Sequence, residues 1–300
     1  MRVHGIHHVT AITANAKDNL EFYTGVLGLR LVKKTVNQDD VRAYHLFYAD
    51  AVATPGTDIT FFEWPNVGPN QPGPGSVSAT VFRVESADAV STWEERLVQH
   101  GVTPERYENG LSFADHEGQA LRIEVFAGQP NDSQPWTTLV PESSAIRGIG
   151  AIELPSIRPD ATRAVLTELL GFTESTPGTF EVSSETTYGQ VRLTTSNERY
   201  LGRPGAGGVH HVAFRVKDDA ALHDFQNRLE SVGFGTSGYV DRFYFHSLYF
   251  REPGGVLFEL ATDGPGMHSD EPMDSLGQTL SLPPFLEERR AEIEAKLTPL

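Results

Sequence analysis

Residues 5–13 read GIHHVTAIT and residues 208–216 read GVHHVAFRV, nearly the same strand at the two ends of the chain. In each, two adjacent histidines precede an apolar alternation that predicts a β-strand with one face toward a core. An amphipathic stretch follows both, AKDNLEFYTGVLGL after the first and DDAALHDFQNRLESVGF soon after the second. The same plan occurs twice more without histidines: SVSATVFRV leads into ADAVSTWEERLVQHGV, and RGIGAIEL into PDATRAVLTELLGF. Gly28, Gly101, Gly171 and Gly233 stand where the four helices should end, a place that favours a residue free to adopt positive φ. β-rich runs come next, and each copy closes on a strand: DITFFEW, ALRIEVF, GQVRLTT or VLFELAT.

The repeat is therefore a βαβββ module in four copies, over residues 1–66, 76–127, 146–196 and 207–263, followed by an extension at 264–300. Pro/Gly-rich segments at 66–76 and 128–145 punctuate the copies, and FLEERRAEIEAKL predicts a charged helix on the outside of the extension. One such module leaves a bare sheet face. Two modules can close their sheets around a cleft, so the expected fold is α+β, with four modules forming two paired, barrel-like clefts. Histidine pairs occur only in modules one and four. Pairing these two places both pairs in a single metal cleft and leaves modules two and three as a structural pair.

Composition removes several classes of function. There is no cysteine among the 300 residues, so disulfides and thiolate metal sites are excluded and any metal must be held by nitrogen and oxygen. A net charge of −16 without a basic stripe argues against nucleic acid. No run is long and apolar enough for a membrane span and the N-terminus has no signal-peptide pattern, so a cytoplasmic protein is expected. Exposed sheet edges leave a homodimer open.

Alternation along GVHHVAFRV places His211 with Ala213 and Arg215 on the cleft face, and His210 with Val212, Phe214 and Val216 on the core face. By equivalence His8 faces the cleft, with Thr10 beside it. Glu259 lies within the apolar run VLFELAT, where a carboxylate is costly to bury unless paired or metal-bound. Two imidazoles and one carboxylate on one face leave coordination positions open, the arrangement of non-haem Fe(II) oxygenases. A turn at Gly254-Gly255 would bring Tyr249 alongside Glu259, either as a buried aromatic or as a group that reaches substrate. Arg242 is either a surface ion-pair partner or a clamp for a phenolate. His45, His116 and His246 match no ligand position and are read as structural.

With HHVTAIT, RLVKKTVNQDD, GVHHVAF, YFHSLYFREPGGVLFELAT and the tail SDEPMDSLGQTLSLPP, the chain resembles the vicinal oxygen chelate superfamily. Within it, the chain is similar to ring-cleaving dioxygenases that act on hydroquinones. The resemblance implies Fe(II), with Mn(II) an alternative, held by His8, His211 and Glu259. It also implies supporting roles for His7, Thr10, His210, Arg242 and Tyr249. The implied reaction is extradiol-type cleavage of a small aromatic diol by O2. Two other readings share the fold: a glyoxalase-like isomerase with a fourth ligand, for which Glu63 is the candidate, and a metal-free binding protein. Glu63 stands seven residues past Gly56 whereas Glu259 stands four past Gly255, the opposite strand parity.

Overall fold

The structure is a computed structural model that describes residues 1–300. Module one comprises β1 (Ile6–Thr13), α1 (Ala16–Leu20, continuing as a wider turn through Val26), β2 (Arg30–Val36), β3 (Tyr44–Ala49) and β4 (Asp58–Glu63). Module two has β5 (Ala79–Val84), α2 (Ala87–Gln99), β6 (Glu105–Tyr107), β7 (Gly110–Ala114) and β8 (Ala120–Val125). Module three has β9 (Ile149–Ser156), α3 (Pro159–Ala164, continuing through Leu169), β10 (Thr173–Thr176), β11 (Thr179–Ser183) and β12 (Tyr188–Thr195). Module four has β13 (Gly208–Val216), α4 (Asp219–Ser231), β14 (Thr236–Asp241), β15 (Phe245–Arg251) and β16 (Leu257–Pro265). Gly28, Gly101, Gly171 and Gly233 take φ of +65, +76, +80 and +93°, the left-handed conformation that ends a helix.

Two eight-stranded sheets result. One runs β14-β15-β16-β13-β1-β4-β3-β2 and joins modules one and four; the other runs β10-β11-β12-β9-β5-β8-β7-β6 and joins two and three. The junction in each is an antiparallel pair of first strands, β1 with β13 and β5 with β9. The apolar faces of these strands (Val9, Val212, Phe214, Val216, Phe82, Ile152) pack with helix residues such as Phe22, Trp93, Leu166 and Phe225 in one continuous core.

The junction strands depart from simple alternation. Along β1 and β13, Ile6 faces Phe214 but His8 faces Ala213, and Thr10 faces His211 but Ala11 faces Val209. His7 and His210 are thus each the extra residue of a β-bulge. A bulge re-aims its side chain and delivers two successive residues to neighbouring directions. This corrects the placement of His210 on the core face: it lines the cleft with His211.

The second sheet has the same frame without the chemistry. Its bulge residue is Gly150, and register equivalence sets Ala79, Ala151 and Arg192 where the first sheet has His8, His211 and Glu259. Phe126 and Tyr188 cluster with Val81 and Ala151 in this second cleft, and Arg192 pairs with Glu124 at 2.5 Å.

The extension differs from the single outer helix expected. It forms two short helices, α5 (Pro284–Glu287) and α6 (Arg290–Glu294), whose Leu286 and Ile293 join the core. Upstream, it straps onto β2: Ser281 donates its N–H to the Lys34 carbonyl (2.9 Å), and fully buried Lys33 binds Asp270 at 2.7 Å and Glu271. Tyr244 stacks under that ammonium and donates to Asp270 (2.9 Å), which ties the extension to the cleft wall.

A methyl group added at Gly150 would lie 2.6 Å from the Phe126 ring. Gly150→Ala should therefore destabilise the fold by about 1–3 kcal/mol through overpacking, measured by denaturant unfolding.

Candidate metal centre

The β1–β13 ladder brings the chain's two ends together and sets His8 Nε2 3.3 Å from His211 Nε2. β16 runs parallel to β13 with Glu259 opposite Ala213, which places Glu259 Oε2 2.8 Å from His211 Nε2 and 3.3 Å from His8 Nε2. All three residues are buried, and one donor atom from each lies within 4.8 Å of the others. Burial by itself would raise the Glu259 pKa; the two imidazoles outweigh it and hold the carboxyl well below its usual range. Burial depresses His211.

Second partners orient these donors. Ser247 donates to Glu259 Oε1 at 2.6 Å, leaving buried Oε2 without a hydrogen-bond partner. His8 Nδ1 meets His7 Nδ1 at 2.8 Å, and His7 Nε2 lies 3.2 Å from the Thr262 carbonyl. A carbonyl only accepts, so His7 carries its proton on Nε2 and its Nδ1 accepts from His8 Nδ1–H. That leaves a lone pair on His8 Nε2, directed at the cluster. His210 and His211 repeat the Nδ1–Nδ1 contact at 2.8 Å. Burial and the adjacent histidine lower His7 and His210 to about 3, so both rings are neutral at pH 7. Two imidazole nitrogens and an orphaned carboxylate oxygen fit a divalent ion that accepts mixed nitrogen and oxygen ligands.

The cluster opens into a cavity of about 310 Å³ between aromatic walls that include Phe47, Phe62, Trp64 and Phe245. Tyr249 faces Glu259 directly in the β15–β16 register. Arg242 Nε donates to Tyr249 Oη at 3.3 Å, and its guanidinium lies over the tyrosine ring and binds Asp39 at 3.1 Å. Burial, reinforced by the Glu259 charge, pushes the Tyr249 hydroxyl up, so it stays protonated.

His7 and Thr10 do not line the cavity; they stand behind the three clustered donors. Thr10 Oγ1 hydrogen-bonds Thr60 Oγ1 at 2.8 Å. Glu63 is outside the cluster. Its Oε1 accepts from the Ala16 N–H at 3.2 Å, at the start of α1. Register equivalence sets Thr60, not Glu63, at the module-one place matching Glu259. His116 lies away from the cleft near Phe22, and His246 binds Asp219 at 2.6 Å. His45 is different. It lines the cavity, a placement readable from its two-residue spacing to Phe47 on β3.

The Glyoxalase/Bleomycin resistance protein/Dioxygenase superfamily model matches residues 5–123 and 148–260. The chain belongs to this superfamily. It is 46% identical, over 100% of both chains, to the Bacillus subtilis protein named "Putative ring-cleaving dioxygenase MhqA". It is 31% identical to the chlorohydroquinone/hydroquinone 1,2-dioxygenase of Sphingobium indicum, over 97% of this chain and 95% of that one. A crystal structure described as a "putative dioxygenase" from Bacillus subtilis superposes with a TM-score of 0.90 at 36% identity, covering 100% of this chain and 98% of the other.

Replacing His7 with leucine removes the acceptor that fixes the His8 tautomer. Metal affinity should fall about 10–100-fold, read by chelator competition, with the thermal melt of the metal-free protein little changed. An unchanged affinity would contradict the relay.

Proposed function

We propose that this protein is a ring-cleaving dioxygenase that opens a hydroquinone or catechol-like diol with O2, using Fe(II), or alternatively Mn(II), held by His8, His211 and Glu259. One observation carries the reading: three buried donors converge at an aromatic-walled cavity, and a threonine stands where a fourth ligand, a second carboxylate, would be. A three-ligand set leaves positions for two reactants, whereas the glyoxalase-like alternative needs a fourth protein ligand, which Glu63 is not placed to supply. The names of the relatives point the same way.

When bound, Fe(II) would supply Lewis acidity toward a ring hydroxyl and a redox path between the ring and O2. The chain's own groups do the rest. Arg242 presents a fixed positive charge to an ionised ring oxygen, and Tyr249 Oη holds a proton at neutral pH for the oxygen released as the ring opens. With His211 Nε2 given to the metal, its proton sits on Nδ1 and is accepted by His210 Nδ1; the neutral His210 ring then carries its own proton on Nε2 as a hydrogen-bond donor toward the cavity. Phe47, Phe62, Trp64 and Phe245 confine a planar ring and exclude water. Both atoms of O2 enter the product, so the reaction needs no added reductant.

Protein purified without oxygen should contain iron and consume O2 with hydroquinone or catechol in a 1:1 ratio, without reductant. His211→Ala or Glu259→Ala should lose both metal and O2 uptake, and Tyr249→Phe should keep metal while kcat falls about 100-fold. Bound nickel or zinc with no O2 consumption would overturn the proposal in favour of an isomerase.

A further inference from the structure

The sheet around the cavity has an internal pseudo-symmetry. Thr10, Thr60 and Phe47 form a cross-strand row on β1, β4 and β3 that matches Ala213, Glu259 and Tyr249 on β13, β16 and β15. One half supplies Tyr249 and Arg242 to the cavity. On the other, the residue matching Ser247 is His45. Ser247 spends its hydroxyl on Glu259, but His45 is only half used: Nε2 meets Thr60 Oγ1 at 2.9 Å, and Nδ1 makes no hydrogen bond within the protein.

The ring cannot readily turn to find another partner. Phe47 and Phe62 flank it with centroids 4.0 and 4.3 Å away, and the Thr60 hydroxyl is itself held by Thr10. Burial keeps the imidazole well below its usual pKa and so neutral. A neutral, clamped ring with one free nitrogen stands amid Phe47, Phe62 and Trp64 on this side of the cavity, with Thr35 its cross-strand neighbour on β2. A ligand that fills the cavity strips water from this nitrogen, a cost offset only where a ligand atom meets it.

We propose that His45 is a substrate-contacting, specificity-determining residue whose Nδ1 hydrogen-bonds the second oxygen of the diol, across the cavity from Tyr249 and Arg242. This rests on the diol reading above. A site built to hydrogen-bond a hydroxyl discriminates against the analogue that lacks it, because its own polar group is then left unpaired.

The test compares hydroquinone with 4-methylphenol, the same ring with a methyl in place of one hydroxyl, by calorimetric titration of anaerobic iron-loaded protein. An asparagine amide can reach the place of Nδ1, and a glutamine amide that of Nε2. His45→Phe and His45→Gln should reduce the preference for hydroquinone over 4-methylphenol about tenfold, the worth of one hydrogen bond. His45→Asn should keep most of it, and 4-methylphenol affinity should change less than about twofold in all three. A wall residue with a purely structural role would lower both affinities together; that result overturns the proposal, as would an unchanged preference in His45→Phe and His45→Gln or a wild type without preference. Absent O2 uptake by wild type alongside a shifted preference would sink the dioxygenase reading and leave this one standing.

Discussion

The antiparallel ladder between β1 and β13 is the constraint on which the rest of the molecule depends. It joins residues 203 positions apart, His8 and His211, and makes one site from two ends of a chain. Its two bulges, at His7 and His210, fall symmetrically. Without them, alternation would send one histidine of each pair to the core and one to the cleft. With them, each pair turns as a unit, one ring directed at the cluster and its neighbour held against it by an Nδ1–Nδ1 contact.

Burying three imidazoles and a carboxylate together is expensive unless each is paired. The structure meets most of that cost locally. Ser247 serves Glu259, the Thr262 carbonyl serves His7, and Thr60 serves both Thr10 and His45. What remains unmet is Glu259 Oε2 among two imidazole nitrogens, an imbalance that a cation relieves. The other sheet shows what the same frame does without this requirement: alanines, an Arg192–Glu124 pair and a filled cleft. One pair of modules is spent on packing and the other on chemistry.

Much of this was legible in the sequence because it depends on local pattern. The fourfold strand–helix–glycine plan announces the modules, and the doubled histidines announce which two share a cleft. Glu259 stands out as a carboxylate within an apolar strand. The features that were not legible depend on register and on distant partners. A bulge does not change composition, so His210 read as a core-face residue. His45 looked structural because its meaning lies in the unmatched Nδ1, which only the Phe47–Phe62 clamp and Thr60 reveal. Lys33 gave no hint of Asp270 and Glu271, which arrive from the extension and hold Tyr244 to the cavity wall. Glu63 was a carboxylate near a strand end, and only the structure assigns it to the start of α1.

The central claim is that two imidazoles from opposite ends of the chain and one carboxylate hold a single ion. X-ray absorption on protein loaded with iron(II) under anaerobic conditions tests it most directly. The account predicts two imidazole ligands, the remaining donors being oxygen, and one imidazole in His8→Ala. Three or more imidazoles in the wild type, or a count unchanged in that variant, would contradict it.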